Sequence, residues 1–434
     1  MKILYFNPAP EQKRYMQYQA LRGSTFFRRP NYDAMRLAAV CKDDQFIYYD
    51  ERIEDKPDII PDVVVVNVPL YLSKYIPNAV RGIRGRKSRI IWHGFYPTIF
   101  PHQSRKHADA VVVGDIVNIW STIARDLRNQ KLASIYRSNQ NHVFDTDRRI
   151  EERNGLTPVL SQIRTSFGCT CDMHNKDFCQ ENIMYKDPVH WNLDSAICDI
   201  ASIKRKIVLI RDDDFLADSD YALNFLDRCW RYKKMWIFRS GKKIFSDPHI
   251  LTHLQDLGVR IIYLKENWLS DGIHTYIDDK DFWYTKQRQI SMLHQKRIAC
   301  GCLLRLGQEG ETFGFYNKLL RHLIRSKIDF IKVRVHMPIP RTSLYQRFRR
   351  KGMITTDTAS YNQWTPVLQY PTLSSDDLYT WMEWLRDRFY SWDSILFRNI
   401  FVSTHLGLYN SFFFYLIPNL SFRNNFLEKV GYPP

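Results

Sequence analysis

Thr165-Ser-Phe-Gly-Cys169-Thr-Cys171-Asp-Met-His174-Asn-Lys176-Asp-Phe-Cys179 gathers three of the chain's eight cysteines into eleven residues. Thiols this close in sequence point to a shared ligand, and thiolate sulfur suits soft metal sites. The spacing is Cys-x-Cys-x7-Cys, and His174 offers a fourth donor if the ion is zinc. The chain changes character near residue 150, just before this stretch. One α/β unit is predicted ahead of it and a second one behind it.

Ahead of it, residues 2–6, 46–49, 62–68, 89–92 and 110–113 read as strands. Val63 to Val66 is an unbroken β-branched run, the mark of a strand buried on both faces. Helical spacing covers 32–41, 71–81 and 117–128. The alternation predicts a doubly wound, Rossmann-like unit over 1–150, a parallel sheet with helices on both faces. Ligands of such sheets sit beyond the carboxyl ends of the strands. Asn7, Asn67, His93-Gly94 and Gly114-Asp115 occupy those ends. Ordinary turn chemistry explains Gly94 and Gly114 equally well.

Behind it, the strand 207–210 runs into Arg211-Asp212-Asp213-Asp214 and a helix at 220–232. Three adjacent carboxylates repel one another unless each faces a different partner. Capping of the following helix competes with ligand binding as their role. The βα rhythm continues through strands 235–238, 259–264, 298–306 and 330–335, and helices 247–257, 281–297 and 315–326. The fold class predicted for 151–355 is a partial (β/α)6 barrel, whose chemistry collects at the carboxyl ends of the strands. Cys300 and Cys302 read as core. Residues 356–434 form a helical, aromatic-rich extension, with Ser374 or Ser375 capping a helix at 376–390. It packs on the barrel, covers its opening, meets a partner, or touches a membrane peripherally.

Apolar residues make up 44% of the 434 and aromatics 14%, which supports a large core and excludes global disorder. No apolar run approaches the roughly 18 residues of a membrane span. The five-residue run at the N-terminus is too short for a signal peptide. A cytoplasmic protein is expected, with cysteines as thiols or metal ligands rather than disulfides. The net charge of +17 makes an anionic partner plausible, but Lys and Arg are spread along the whole chain, which argues against nucleic acid.

The order of PDVVVVNVP, RIIWHGFYPTIFP and ADAVVVGDIVNIW resembles the front domain of the B12-dependent radical SAM family. That family has a Gly-Gly turn where His93-Gly94 stands and a Glu where Asp115 stands. No Asp-x-His-x-x-Gly signature supplies a lower axial histidine. The resemblance implies cobalamin contacts at His93, Gly94 and Gly114, although a bulky His93 would obstruct the cofactor's tail. Thr165-Ser-Phe-Gly-Cys169 resembles the opening of the family's radical SAM core. There a Cys-x3-Cys-x2-Cys motif holds a [4Fe–4S] cluster with one iron open to S-adenosylmethionine. Here the second and third positions counted from Cys169 are Met173 and Lys176. Counted from the end, Lys176 replaces the middle cysteine.

Two outcomes are consistent with that departure: Cys169, Cys171 and Cys179 hold a cluster on an altered loop, or the motif has decayed. DDDFLAD, the Lys265-Glu266-Asn267 strand end, the 307–312 loop and the 336–345 turn also resemble family motifs in the family's order. Arg341 stands where that last motif has Gly. By position, Asp213, Glu266 and Arg305 are implied as S-adenosylmethionine contacts. The resemblance implies reductive cleavage of S-adenosylmethionine to a 5′-deoxyadenosyl radical, then methyl transfer or cyclisation on a small-molecule substrate. It also implies an electron donor such as a flavodoxin or ferredoxin. The alternative is a non-catalytic descendant that keeps the fold and binds without radical chemistry.

Overall fold

The computed structural model describes residues 1–8, 29–51, 54–138, 145–152, 160–168, 177, 179–185, 188–269, 273–354, 357–362, 365–398 and 411–424. Cys169, Cys171, His174 and Lys176 lie outside the described residues.

The first sheet has six parallel strands: β1 (Lys2–Asn7), β2 (Gln45–Asp50), β3 (Val63–Asn67), β4 (Arg89–His93), β5 (Ala110–Val113) and β6 (Ile135–Arg137). Their order is β2-β1-β3-β4-β5-β6. The chain reverses direction across the sheet between β1 and β3, and at such a switch point the connections diverge to leave a crevice. Helices α1 (Tyr32–Val40) and α5 (Ile116–Arg128) cover one face, over Ile3, Val63, Val65 and Ile91. Helix α2 (Ile76–Arg81) covers the other, over Leu4, Val64, Val66 and Trp92. Each Val63–Val66 side chain is at most 2% exposed, as the unbroken run required.

Two expectations need correction here. The helix expected over 71–81 is confined to α2, after a separate 3-10 turn at Leu70–Leu72. Pro77 has no N–H to donate and fits only the first turn of a helix, so the helix starts there. Strand β6, not expected from the sequence, pairs with β5 at the edge.

Short helices α3 (Phe95–Ile99) and α4 (Pro101–Ser104) follow β4, and α6 (Arg149–Glu152) leads to the second sheet. This sheet is also parallel, with six strands in the order β14-β13-β12-β11-β10-β7. They are β7 (Leu160–Ile163), β10 (Ile207–Ile210), β11 (Met235–Ser240), β12 (Val259–Leu264), β13 (Ala299–Leu306) and β14 (Phe330–Val335). Every strand of this sheet neighbours its predecessor and, among the described residues, no ladder joins β14 to β7, so the sheet is an open half-barrel. A two-stranded ribbon, β8 (Ser166–Phe167) with β9 (Val189–His190), flanks the cysteine stretch together with α7 (Gln180–Met184).

The crossover helices are α8 (Leu193–Ser202), α9 (Ser219–Cys229), α10 (Pro248–Asp256), α11 (Lys280–Gln295) and α12 (Phe313–Arg325). After β14 come α13 (Ser343–Arg350), α14 (Ser375–Phe389) and α15 (Ile417–Asn424). Cys300 and Cys302 are fully buried in the core. Ser374 caps α14 by accepting from the Asp377 N–H, and Leu378, Met382, Leu385 and Phe389 bury themselves in the half-barrel core.

The sheets are joined through polar contacts at β7. Gln162 donates to the Pro30 carbonyl at 2.8 Å, and the Arg164 N–H donates to Tyr32 Oη at 3.0 Å. The Arg36 guanidinium lies 4.4 Å above the Phe167 ring. Leu70, Phe95 and Ile99, from the first sheet's connections, belong to the half-barrel core.

Candidate active site

One cavity of about 610 Å³ lies between the carboxyl edge of the first sheet and the interior of the half-barrel. Asn7, Asn67, Gly94 and Phe95 line it from the first side, and Cys179, Asp213, Glu266 and Arg305 from the second. Strand ends of two parallel sheets thus face a common space, where parallel sheets bind ligands.

The three acidic residues after β10 separate as their mutual repulsion demands. Asp212 is 1% exposed and accepts from the Thr165 N–H (2.7 Å), the Thr165 hydroxyl (2.5 Å) and the Ser166 hydroxyl (2.8 Å). It thereby fixes the entry to the cysteine stretch. Asp214 accepts from the Gly241 N–H at 3.1 Å, and burial raises its pKa. Asp213 alone turns into the cavity, 2.5 Å from Lys265 Nζ and 4.0 Å from Arg239 Nη1. Burial opposes its ionisation, but Lys265 and then Arg239 hold its carboxyl below the ordinary range. None of the three caps α9; Asp218 does, accepting from the Tyr221 N–H at 3.0 Å.

The far end of the cysteine stretch is fixed by the turn after β14. The Ile339 N–H donates to the Asp177 carbonyl at 3.0 Å, and the Ser343 hydroxyl to its carboxylate at 2.9 Å. Cys179, two residues on, faces the cavity. Burial, with the charge of Asp213 adding, pushes its thiol up to about 12. Such a thiol stays protonated at neutral pH until a metal displaces the proton. Arg341, at the position of the family's glycine, adopts φ +73°, in the left-handed region, and its guanidinium lies 5.4 Å from the Phe100 ring centroid.

The other expected contacts divide. Glu266 pairs with Arg334 at 3.3 Å. Burial opposes its ionisation, and Arg334 and Arg305 overcome it, lowering its pKa. Gly94 lines the cavity at φ +100°, but a Cβ there would strike Asn67 Oδ1 at 2.2 Å. Gly114 (φ +90°) sits off the cavity, where a Cβ would lie 3.1 Å from the Ser138 carbonyl. Both glycines are therefore explained by their own turns. His93 points away from the cavity, with Nε2 3.0 Å from the Tyr5 hydroxyl, and burial lowers it to about 4. Asp115 caps α5 and pairs with the buried Arg36 at 2.7 Å.

Apart from Arg305, sequence reasoning passed over the basic residues. Arg164, Arg211, Arg239, Lys265, Arg305 and Arg334 come one each from the ends of the six half-barrel strands, and all line the cavity. The signal was present: each apolar strand carries one basic residue in its last two positions or just after it, as in IVLIR, MWIFRS and FIKVRV.

No protein-family model matches the chain. The structure of the radical S-adenosylmethionine methyltransferase TsrM from Kitasatospora setae, with cobalamin and a [4Fe–4S] cluster bound, aligns with a TM-score of 0.59 at 12% identity. That alignment covers 88% of this chain and 84% of TsrM. OxsB, a cobalamin-dependent S-adenosylmethionine radical enzyme, aligns with a TM-score of 0.52 at 11% identity, over 89% of this chain and 61% of OxsB. This chain has the fold of the cobalamin-dependent radical SAM enzymes. In sequence, bacteriochlorophyllide d C-8(2)-methyltransferase of Chlorobaculum tepidum is 23% identical over 356 residues, 71% of this chain and 75% of that enzyme. No helix among the described residues is long and apolar enough to cross a membrane.

Proposed function

We propose that this chain is a radical S-adenosylmethionine enzyme that transfers a methyl group to a small-molecule substrate. The observation that carries this reading is the shared cavity. Cys179 and the half-barrel charges face the same space as Asn7 and Asn67 at the switch point of the first sheet. The described residues that face the cavity support this reading. Cys179 is a thiol at the rim of a half-barrel, on a stretch pinned at one end by Asp212 and at the other by Asp177. With Cys169 and Cys171 it would hold a [4Fe–4S] cluster, and Asn7 and Asn67 would face cobalamin across the cavity. Bound there, these groups would supply the electron and the methyl-transfer chemistry; a flavodoxin- or ferredoxin-like donor would deliver the electron.

The protein's own part is binding and orientation. Asp213 and Glu266 hold the surrounding basic side chains in place. A carboxylate offers about four lone-pair sites, so each keeps capacity for a ligand's ammonium group. Arg305, beside Glu266, is suited to a ligand carboxylate. His93 has no part in this reading.

Anaerobic reconstitution with iron and sulfide tests the proposal. About four irons per chain, with an EPR signal that changes on adding S-adenosylmethionine, is the expected result. Tightly bound zinc, or no metal at all, would sink it and leave a binding protein on the same fold.

A further inference from the structure

Among the described residues, basic side chains outnumber carboxylates in the lining of the cavity. Eight basic side chains line the cavity, the six strand-end residues with Arg29 and Lys332, against four carboxylates, Asp33, Glu181, Asp213 and Glu266. Arg305 and Arg334 are direct partners in the β13–β14 ladder. Arg211 has no carboxylate within ion-pair distance among the described residues. It donates to the Gln162 side-chain carbonyl at 3.1 Å and lies 5.7 Å from the Tyr32 ring centroid. Arg334 reaches Glu266 through Nη1, while its buried Nε has no hydrogen-bond partner among the described residues. Burial lowers the pKa of both, and the neighbouring Arg164 and Arg239 lower that of Arg211 further.

Such an arrangement costs stability in the empty protein. Buried charges need partners, and like charges at close range repel. The proposed cofactors do not relieve it: a thiolate-held cluster and S-adenosylmethionine carry opposite net charges, so together they leave the surplus in place. A cavity of about 610 Å³ between two sheets has the size of a small-molecule site.

We propose that the substrate of the enzyme inferred above carries at least two oxyanion groups, carboxylate or phosphate, held by the strand-end ring with Arg211 and Arg334 as principal contacts. Guanidinium forks bind both groups through paired N–H donors, and an acceptor oxygen would satisfy the orphaned Arg334 Nε.

The test uses the full-length chain without cluster, so its outcome is separate from that of the radical reading. Binding of pyrophosphate and of tricarballylate is measured by calorimetry at fixed ionic strength. The expected result is saturable binding of at least one probe, weakened tenfold or more in R211Q and in R334Q, and unchanged in R125Q, a surface control. Preference for pyrophosphate assigns a phosphorylated substrate; preference for tricarballylate assigns a polycarboxylate. Equal weakening in R125Q would show only nonspecific attraction to a basic protein and overturn the proposal, as would binding of neither probe. Thermal melts add a second readout. The probe should raise the Tm of the wild type, and R211Q without probe should melt no lower than wild type. A large drop for R211Q would make Arg211 a structural residue and also overturn the assignment.

Discussion

The two sheets meet one cavity with opposite electrostatic strategies. At the carboxyl edge of the first sheet the polar groups close on one another. Asn67 donates to Asp33 at 3.3 Å, His93 meets Tyr5, and Arg36 meets Asp115. At the same edge of the second sheet, three carboxylates serve a ring of six cations. Apart from Arg36 Nε, which has no hydrogen-bond partner among the described residues, the first edge satisfies itself, and Asn7 and Asn67 present neutral side chains to the cavity beside Asp33. The second is held short of neutrality by its own sequence. Self-satisfied polar networks rigidify a site, whereas unmatched buried charge marks the place where something else must bind. The proposed recognition of an anionic substrate belongs to the half-barrel side of this comparison, with the first sheet as a largely neutral wall.

The largest effect expected from breaking this contrast is at Asp213. D213N removes the counter-charge of Lys265 and Arg239 without changing shape. Breaking a buried pair from one side costs about 3–5 kcal/mol. The matching change on the first edge, N67A, removes a hydrogen bond to the Asp33 carboxylate, worth about 1.5–3 kcal/mol. Urea unfolding of the two variants checks the ratio; equal losses would mean that the charge contrast has no energetic weight. Added multivalent anion should restore part of the D213N loss and none of the N67A loss.

Acid should then expose the first edge. The folded pKa of His93 lies at about 4, below its unfolded value of 6.5, because burial disfavours the charged ring. Between these values the unfolded chain binds the extra proton. The stabilisation is therefore complete above pH 6.5 and declines as pH falls toward 4, by up to about 3 kcal/mol. Replacing His93 by Gln, which cannot titrate, should flatten the dependence of urea stability on pH in that window. An unchanged slope would show that His93 is not buried as a neutral ring.

Much of this was legible in the sequence, and the failures have physical causes. Parallel strands buried on both faces are runs of Val, Ile and Leu, so β3 and β10 announce themselves. Strand β7, Leu-Ser-Gln-Ile, does not. Ser161 and Gln162 are buried in it because Glu151 accepts from both, at 3.0 and 3.2 Å, and Pro30 accepts from the Gln162 side chain. A polar core satisfied by residues distant in sequence leaves no periodic trace. Asp213 could be singled out by its neighbours, since three carboxylates in a row must diverge. Their division among Thr165, Lys265 and Gly241 required the fold. The rest of the basic ring, beyond Arg305, escaped notice because single arginines at strand ends look like ordinary punctuation. Only curling six strands into one half-barrel brings them together.

The smallest effect expected lies where the two sheets touch, at Arg341. Its φ of +73° places a side chain where the resembling motif has glycine. The left-handed conformation costs about 1–2 kcal/mol for an ordinary residue. The cation–π contact with Phe100 returns about 0.5–1 kcal/mol at an exposed position. R341G relieves the strain, but it loses the contact and gains unfolded-state freedom, so its net change should be close to zero. R341A keeps the strain and loses the contact, and should be about 1 kcal/mol less stable than R341G. The difference between these two variants isolates the backbone from the ring contact. If they prove equally stable, the turn that grips Asp177 stores no strain, and Arg341 is there for Phe100 alone. If the expected gap appears, the half-barrel tolerates backbone strain beside the cysteine stretch in order to anchor α3 and α4. The neutral wall would then be fastened to the charged half by the same turn that positions Cys179.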